Sequence, residues 1–283
     1  DTYYLPFATS LRMSDLGYQN INQSHLEISL NSMQEYIFDL KQATTTNSDD
    51  FQRINQESKE TYPQINSNIL QIEDEYYAIA RAKSNITSNQ SSTSKLRQGG
   101  VDFIELRSLD LNPFSRIGIN LETVLFLEVF LIYCFIKESI PISNTEQDAI
   151  MTNDLSVAKF GRMPSFSLQK EGKMVSLKEW GNQILDEMTP IAELFSQNKN
   201  DYLNMILTMK SKINDPNLTL SGQLLDSLLS KKQSFIDMGN SIGEANRQYY
   251  LNLDYANNGN WDLLVKEAIA SLSKQKSLEA ENE

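Results

Sequence analysis

A chain of 283 residues with 40% apolar side chains is long enough to bury one large core or two modest ones, which excludes a disordered tail. Its 25 basic against 37 acidic residues give a net charge of -12, which repels phosphate backbones and anionic lipid and makes nucleic acid and membrane poor partners. The one cysteine, Cys134, excludes an intrachain disulfide and a thiolate metal cluster, and fits a reducing compartment.

The opening residues DTYYLPFATS carry no initiator methionine and no signal-type segment, so the chain is expected to begin inside a longer protein. Ser32 with Glu35 forms a capping box ahead of Met33, Tyr36, Ile37 and Leu40, and predicts a helix over 32–44. Asp49 or Asp50 is expected to cap a short second helix. INSNILQIED and EYYAIARAK read as two extended segments, and the polar stretch SNITSNQSSTSK as a surface loop able to close over a site. VDFIELR, residues 101–107, is the most informative strand: alternation puts Val101, Phe103, Glu105 and Arg107 on one face. From spacing alone, a surface ion pair is the commoner reason for Glu105 and Arg107 to stand side by side.

A composition shift near Asn112-Pro113 divides the chain into a mixed part, 1–118, and a mainly helical part, 119–283, so the expected fold class is α+β. Asn120 should cap a helix to about Ser139, whose apolar run 124–136 falls well short of the roughly 20 residues that span a bilayer and reads as a buried core helix holding Cys134. A helix follows NTEQD, a hairpin turns at Gly172, and Ser176 with Glu179 opens a helix that Pro190 should kink or end. Helices are expected over most of 200–214, 221–237, 240–252 and 261–276. Trp180 and Trp261 read as packing residues.

Standard catalytic motifs are missing. The lone histidine, His25, cannot build a His-rich zinc site, and neither a P-loop, a G-x-G-x-x-G nor a G-x-S-x-G occurs. Gly99-Gly100 could let backbone approach a ligand, although a plain turn is the commoner cause. Three longer blocks say more: YYLPFATSLRMSDLGYQN at 3–20, QINSNILQIEDEYYAIAR at 64–81 and LRQGGVDFIELRSLDLNPFSRIGI at 96–119. In that order they resemble the proteobacterial type of glutamate–cysteine ligase (γ-glutamylcysteine synthetase), with a weaker echo in DPNLTLSGQLL at 215–225.

That resemblance implies a glutamine-synthetase-like antiparallel catalytic sheet within 1–118, a helical part 119–283 packing on it, and a cytoplasmic enzyme. It implies ATP-dependent joining of L-glutamate's γ-carboxylate to L-cysteine through a γ-glutamyl phosphate, with Mg²⁺ or Mn²⁺ as cofactor and ATP as co-substrate. Carried over block by block, Arg12, Tyr18 and Tyr77 resemble residues around the cysteine carboxylate, Tyr76 being the neighbour most easily confused with Tyr77. Glu105 resembles a metal ligand and Arg107 a catalytic arginine that reaches the nucleotide phosphates. Family members are longer at the N-terminus, where further metal-ligating acids and much of the glutamate pocket lie, so this chain is expected to be inactive alone and to need that portion. Another carboxylate–amine ligase of the superfamily, or a non-catalytic helical module, are the alternative readings.

Overall fold

The structure, a computed structural model, describes residues 4–17, 23, 26–57, 64–87, 89–196, 200–255 and 260–280. Tyr18 and His25 lie outside the described residues. The chain divides into two compact units, 1–227 and 228–283.

The mixed part of the first unit is built on helix α1, Met33–Ala43, whose Ser32 cap accepts from the Glu35 amide as the capping box requires. Helix α2, Asp49–Glu57, follows with both aspartates in its first turn, where they complement the helix dipole. Strand β1, Ala80–Lys83, pairs antiparallel with β2, Phe103–Leu106, bringing Arg81 opposite Glu105 and Lys83 opposite Phe103. Ile28, Tyr36, Ile37, Leu40, Ala43, Leu70 and Leu96 form the core here, with Ala82 of β1 packed against it.

Two sequence expectations are corrected in this part. Residues 64–72 form bends and an isolated bridge between Asn47 and Asn68, not a strand, because side-chain amides satisfy the backbone: Asn66 accepts from the Asn68 amide and Gln71 from that of Ile65. The polar stretch 84–95 is not loop throughout, since helix α3, Ser92–Gly99, begins inside it. The start of α3 is tethered: Glu73 accepts from the amide and hydroxyl of the fully buried Thr93, and Asp74 accepts from Ser92. Carboxylates are favoured at a helix N-terminus, so these two acids recruit a stretch whose own composition says loop. Gly100 then ends α3 with a φ of 76° that favours glycine, which is the plain-turn reading of the glycine pair.

Helix α4, Leu121–Ile136, is capped by Asn120 and packs with α6, Leu177–Phe195, and α7, Asp201–Asn214, around Val129, Leu185, Met188, Ile191, Ala192, Met205 and Ile206. The expectation of a buried α4 is corrected: Val129 is its only buried residue, whereas Leu121, Phe135 and Cys134 are exposed, because its partners cover one face of an apolar cylinder. Pro190 does not end α6. The helix runs five residues further because Ile191 and Ala192 are buried in the three-helix core, which offsets the missing amide bond. Between α4 and α6 lie α5, Asn144–Phe160, and the hairpin β3, Ser167–Lys170, and β4, Lys173–Ser176, turned by Glu171 and Gly172 at φ 49° and 74°.

Helix α8, Leu220–Lys231, leads out of the first unit, and the second holds α9, Phe235–Leu251, and α10, Trp261–Ala280, where Trp261 stacks on Tyr255 at 4.5 Å. The fold class is α+β. Among the described residues no helix is long and apolar enough to cross a membrane.

Candidate functional site

The loop SLRMSDLG folds on itself before it docks on anything. Ser10 accepts from the Met13 amide at 3.1 Å, and buried Ser14 donates to the Leu11 carbonyl at 2.8 Å while accepting from the Leu16 amide at 3.2 Å. Gly17 closes the loop: a Cβ there would lie 2.0 Å from the Arg12 carbonyl oxygen, so only glycine fits. The loop is then tied to the end of α5. The Thr9 amide and hydroxyl donate to Ala158 and Val157 carbonyls at 2.9 and 2.7 Å, and Asp15 pairs with Lys159 at 2.5 Å. Arg12 is held exposed on this frame, with no ion-pair partner among the described residues.

In the second block, neighbouring tyrosines divide their duties. Tyr76 packs against the core, meets Tyr36 edge-on at 6.5 Å, and burial pushes its phenol up to about 12. Tyr77 is half-buried, and its amide donates to the Gln23 side chain at 3.0 Å while Gln23 donates back to the Glu75 carbonyl at 2.8 Å. Tyr76 is thereby committed to structure.

Glu105 and Arg107 do project together. Arg107 Nε and Nη2 donate to the two Glu105 oxygens at 2.9 and 3.3 Å, and Lys83 Nζ stands 3.4 Å from Oε2. Hydrogen bonding from Arg107 first, then the positive charges of Arg107 and Lys83, holds the Glu105 carboxyl below its usual range. The Arg107 amide donates to the Ile79 carbonyl at 2.8 Å, extending the β1–β2 ladder by one bond. Lys83 is absent from the residues expected from sequence, yet the two-residue spacing of Arg81 and Lys83 in ARAK is the signal that places them on one strand face. As a metal site this donor set does not fit: it offers one carboxylate already paired with two cations, and among the described residues no three His, Cys, Asp or Glu side chains gather as ligands.

A cleft of about 480 Å³ brings the three blocks together. Thr9, Ser10 and Met13 line one side, Ile79 and Ser108 another, and Trp180 a third, with Lys170 over the indole at 4.9 Å. Residues of all three blocks thus line one hollow, whereas Arg12, Tyr77, Glu105 and Arg107 are not among its lining residues. Trp180, expected only to pack, is one of its walls.

The family model described as glutamate-cysteine ligase matches residues 1–157, more than half of the chain. The chain belongs to the glutamate–cysteine ligase family. The glutamate–cysteine ligase of Alcanivorax borkumensis is 38% identical over 98% of this chain and 54% of that protein, and the Shewanella oneidensis ligase 38% identical over 99% of this chain and 53% of that protein. A crystal structure of the Francisella tularensis glutamate–cysteine ligase in complex with AMP superposes with a TM-score of 0.86 at 30% identity, covering 96% of this chain and 54% of that one. A bifunctional glutathione synthetase from Pasteurella multocida, TM-score 0.64 at 19% identity, shares the fold. The chain thus spans about half the length of the family members it matches.

Proposed function

We propose that the chain supplies the cysteine-side and phosphate-side portion of a glutamate–cysteine ligase, the cytoplasmic enzyme that makes the first bond of glutathione. The observation that carries this reading is the convergence of the three blocks on one cleft, in a chain of that family.

The chemistry follows from need. A carboxylate does not acylate an amine at neutral pH, so ATP first transfers its γ-phosphoryl group to the glutamate γ-carboxylate, and the cysteine amine then displaces phosphate from the acyl phosphate. Arg12, Tyr18 and Tyr77 hold the cysteine carboxylate, a task suited to a guanidinium fork and phenols. Arg107 offers positive charge to the phosphates where charge develops in the transition state. The AMP carried by the Francisella relative supports nucleotide as the co-substrate. Magnesium or manganese at Glu105 would need its remaining ligands from outside the described residues.

The partner is the remainder of the family's length. The β1–β2 pair is a two-stranded sheet with Val101, Phe103 and Ile104 exposed, and a pair of strands is marginal without further neighbours. Residues 1–118 carry the substrate residues. In a full-length enzyme, Arg12→Ala should raise the KM for cysteine by about tenfold or more while leaving the KM for glutamate within about twofold, measured by phosphate release. Equal rises for both substrates would remove Arg12 from the acceptor site.

A further inference from the structure

The chain carries a net charge of -12, yet one face of its β1–β2 ladder inverts that sign. The register puts Arg81 and Lys83 on the same face as Glu105, and Arg107 continues that face beyond β2. Arg81 is 97% buried and engaged with Asp74, whose carboxylate oxygen lies 3.3 Å away, while its Nε has no hydrogen-bond partner. Asp74 offsets Arg81. On the open part of the face, one carboxylate, Glu105, stands against two cations, Lys83 and Arg107, so a positive charge is left over where the three side chains remain 26–37% exposed. An anion would complete the cluster.

We propose that Lys83 is a further phosphate-binding residue of this site, which with Arg107 clamps the polyphosphate chain of the nucleotide while Glu105 sets the spacing of the two cations. The inference rests on the nucleotide reading given above and adds a residue to it. The division of labour follows from donor geometry. Arg107 spends its Nε/Nη2 edge on Glu105, leaving Nη1 and the outer Nη2 hydrogen for a phosphate oxygen. Lys83 touches Glu105 through one long contact of 3.4 Å, and an ammonium has three donors that turn freely about a flexible stem. Glu105 touches both cations, Arg107 at 2.9 Å and Lys83 at 3.4 Å, and so holds them side by side.

Calorimetric titration of a full-length enzyme carrying this chain, in metal-free buffer with ATP, AMP and inorganic tripolyphosphate, tests this. The wild type should bind ATP and tripolyphosphate more tightly than AMP, and Lys83→Met should weaken the first two by about tenfold while moving AMP by less than about twofold. Lys83→Arg should retain most of the affinity, and circular dichroism melting of both variants controls for folding. A Lys83→Met chain that binds tripolyphosphate as the wild type does reduces Lys83 to an ion-pair partner of Glu105 and overturns the proposal. A wild type that prefers neither ATP nor tripolyphosphate over AMP overturns the phosphate assignment of Arg107 as well.

Discussion

At Gly17 the reason for a residue type is purely steric. The loop closes so tightly on the Arg12 carbonyl that a methyl group would sit at 2.0 Å, well inside any real contact. Gly17→Ala should therefore displace the loop and, in a full-length enzyme, raise the cysteine KM alongside Arg12→Ala. A Gly17→Ala enzyme with wild-type kinetics would show that the loop does not present Arg12 to substrate. Arg107 is tested differently, because its proposed contact strengthens as charge develops. Arg107→Ala should lower kcat on the order of 10²-fold or more. A loss below about tenfold would return Glu105 and Arg107 to the surface ion pair that spacing alone suggests.

Between elements, α4 is fastened to α6 by one acid. Glu187 accepts from Tyr133 at 2.6 Å, from Gln183 at 2.9 Å and from Lys137, and these bonds, led by Lys137, hold its carboxyl down from 4.5 to about 2. A folded-state value below the unfolded one contributes stability above about pH 4.5 that is lost as the pH falls toward 2. Glu187→Gln should be less stable than the wild type at neutral pH, and the gap in urea midpoint should close as the pH falls through that window. A gap that stays constant from pH 7 to pH 2 would mean that the bonds to Glu187 do not depend on its charge. The same scale shows why the 84–95 stretch misleads. Serine and threonine favour turns when nothing else acts, but Glu73 and Asp74, some twenty residues earlier, supply the carboxylates that start a helix there. Serine N-caps, by contrast, are local: Ser32 and Ser176 accept from the Glu35 and Glu179 amides where the sequence places them.

For the molecule as a whole, the chain spans about half of its relatives' length, and among the described residues its candidate site has one carboxylate where a metal would require several. The 283-residue chain alone should fold yet show no phosphate release dependent on glutamate and cysteine, and adding the rest of the family's length in one polypeptide should restore it. Turnover by the chain alone would overturn the half-site reading.

Much was legible from one dimension. Helix starts, the Gly172 hairpin and the shared face of Glu105 and Arg107 follow from patterns within a few residues, where backbone geometry alone decides direction. Arg12 and Tyr77 stood out through block resemblance, and Tyr18 lies outside the described residues. Tertiary structure decided what depends on distant neighbours: which of two adjacent tyrosines the core consumes, that one face of α4 stays open with Cys134 exposed, and that Pro190 is tolerated. It also brought Lys83 to Glu105, a pairing set by strand register across a twenty-residue gap, because charge balance is a property of a surface in space and no window of sequence contains it.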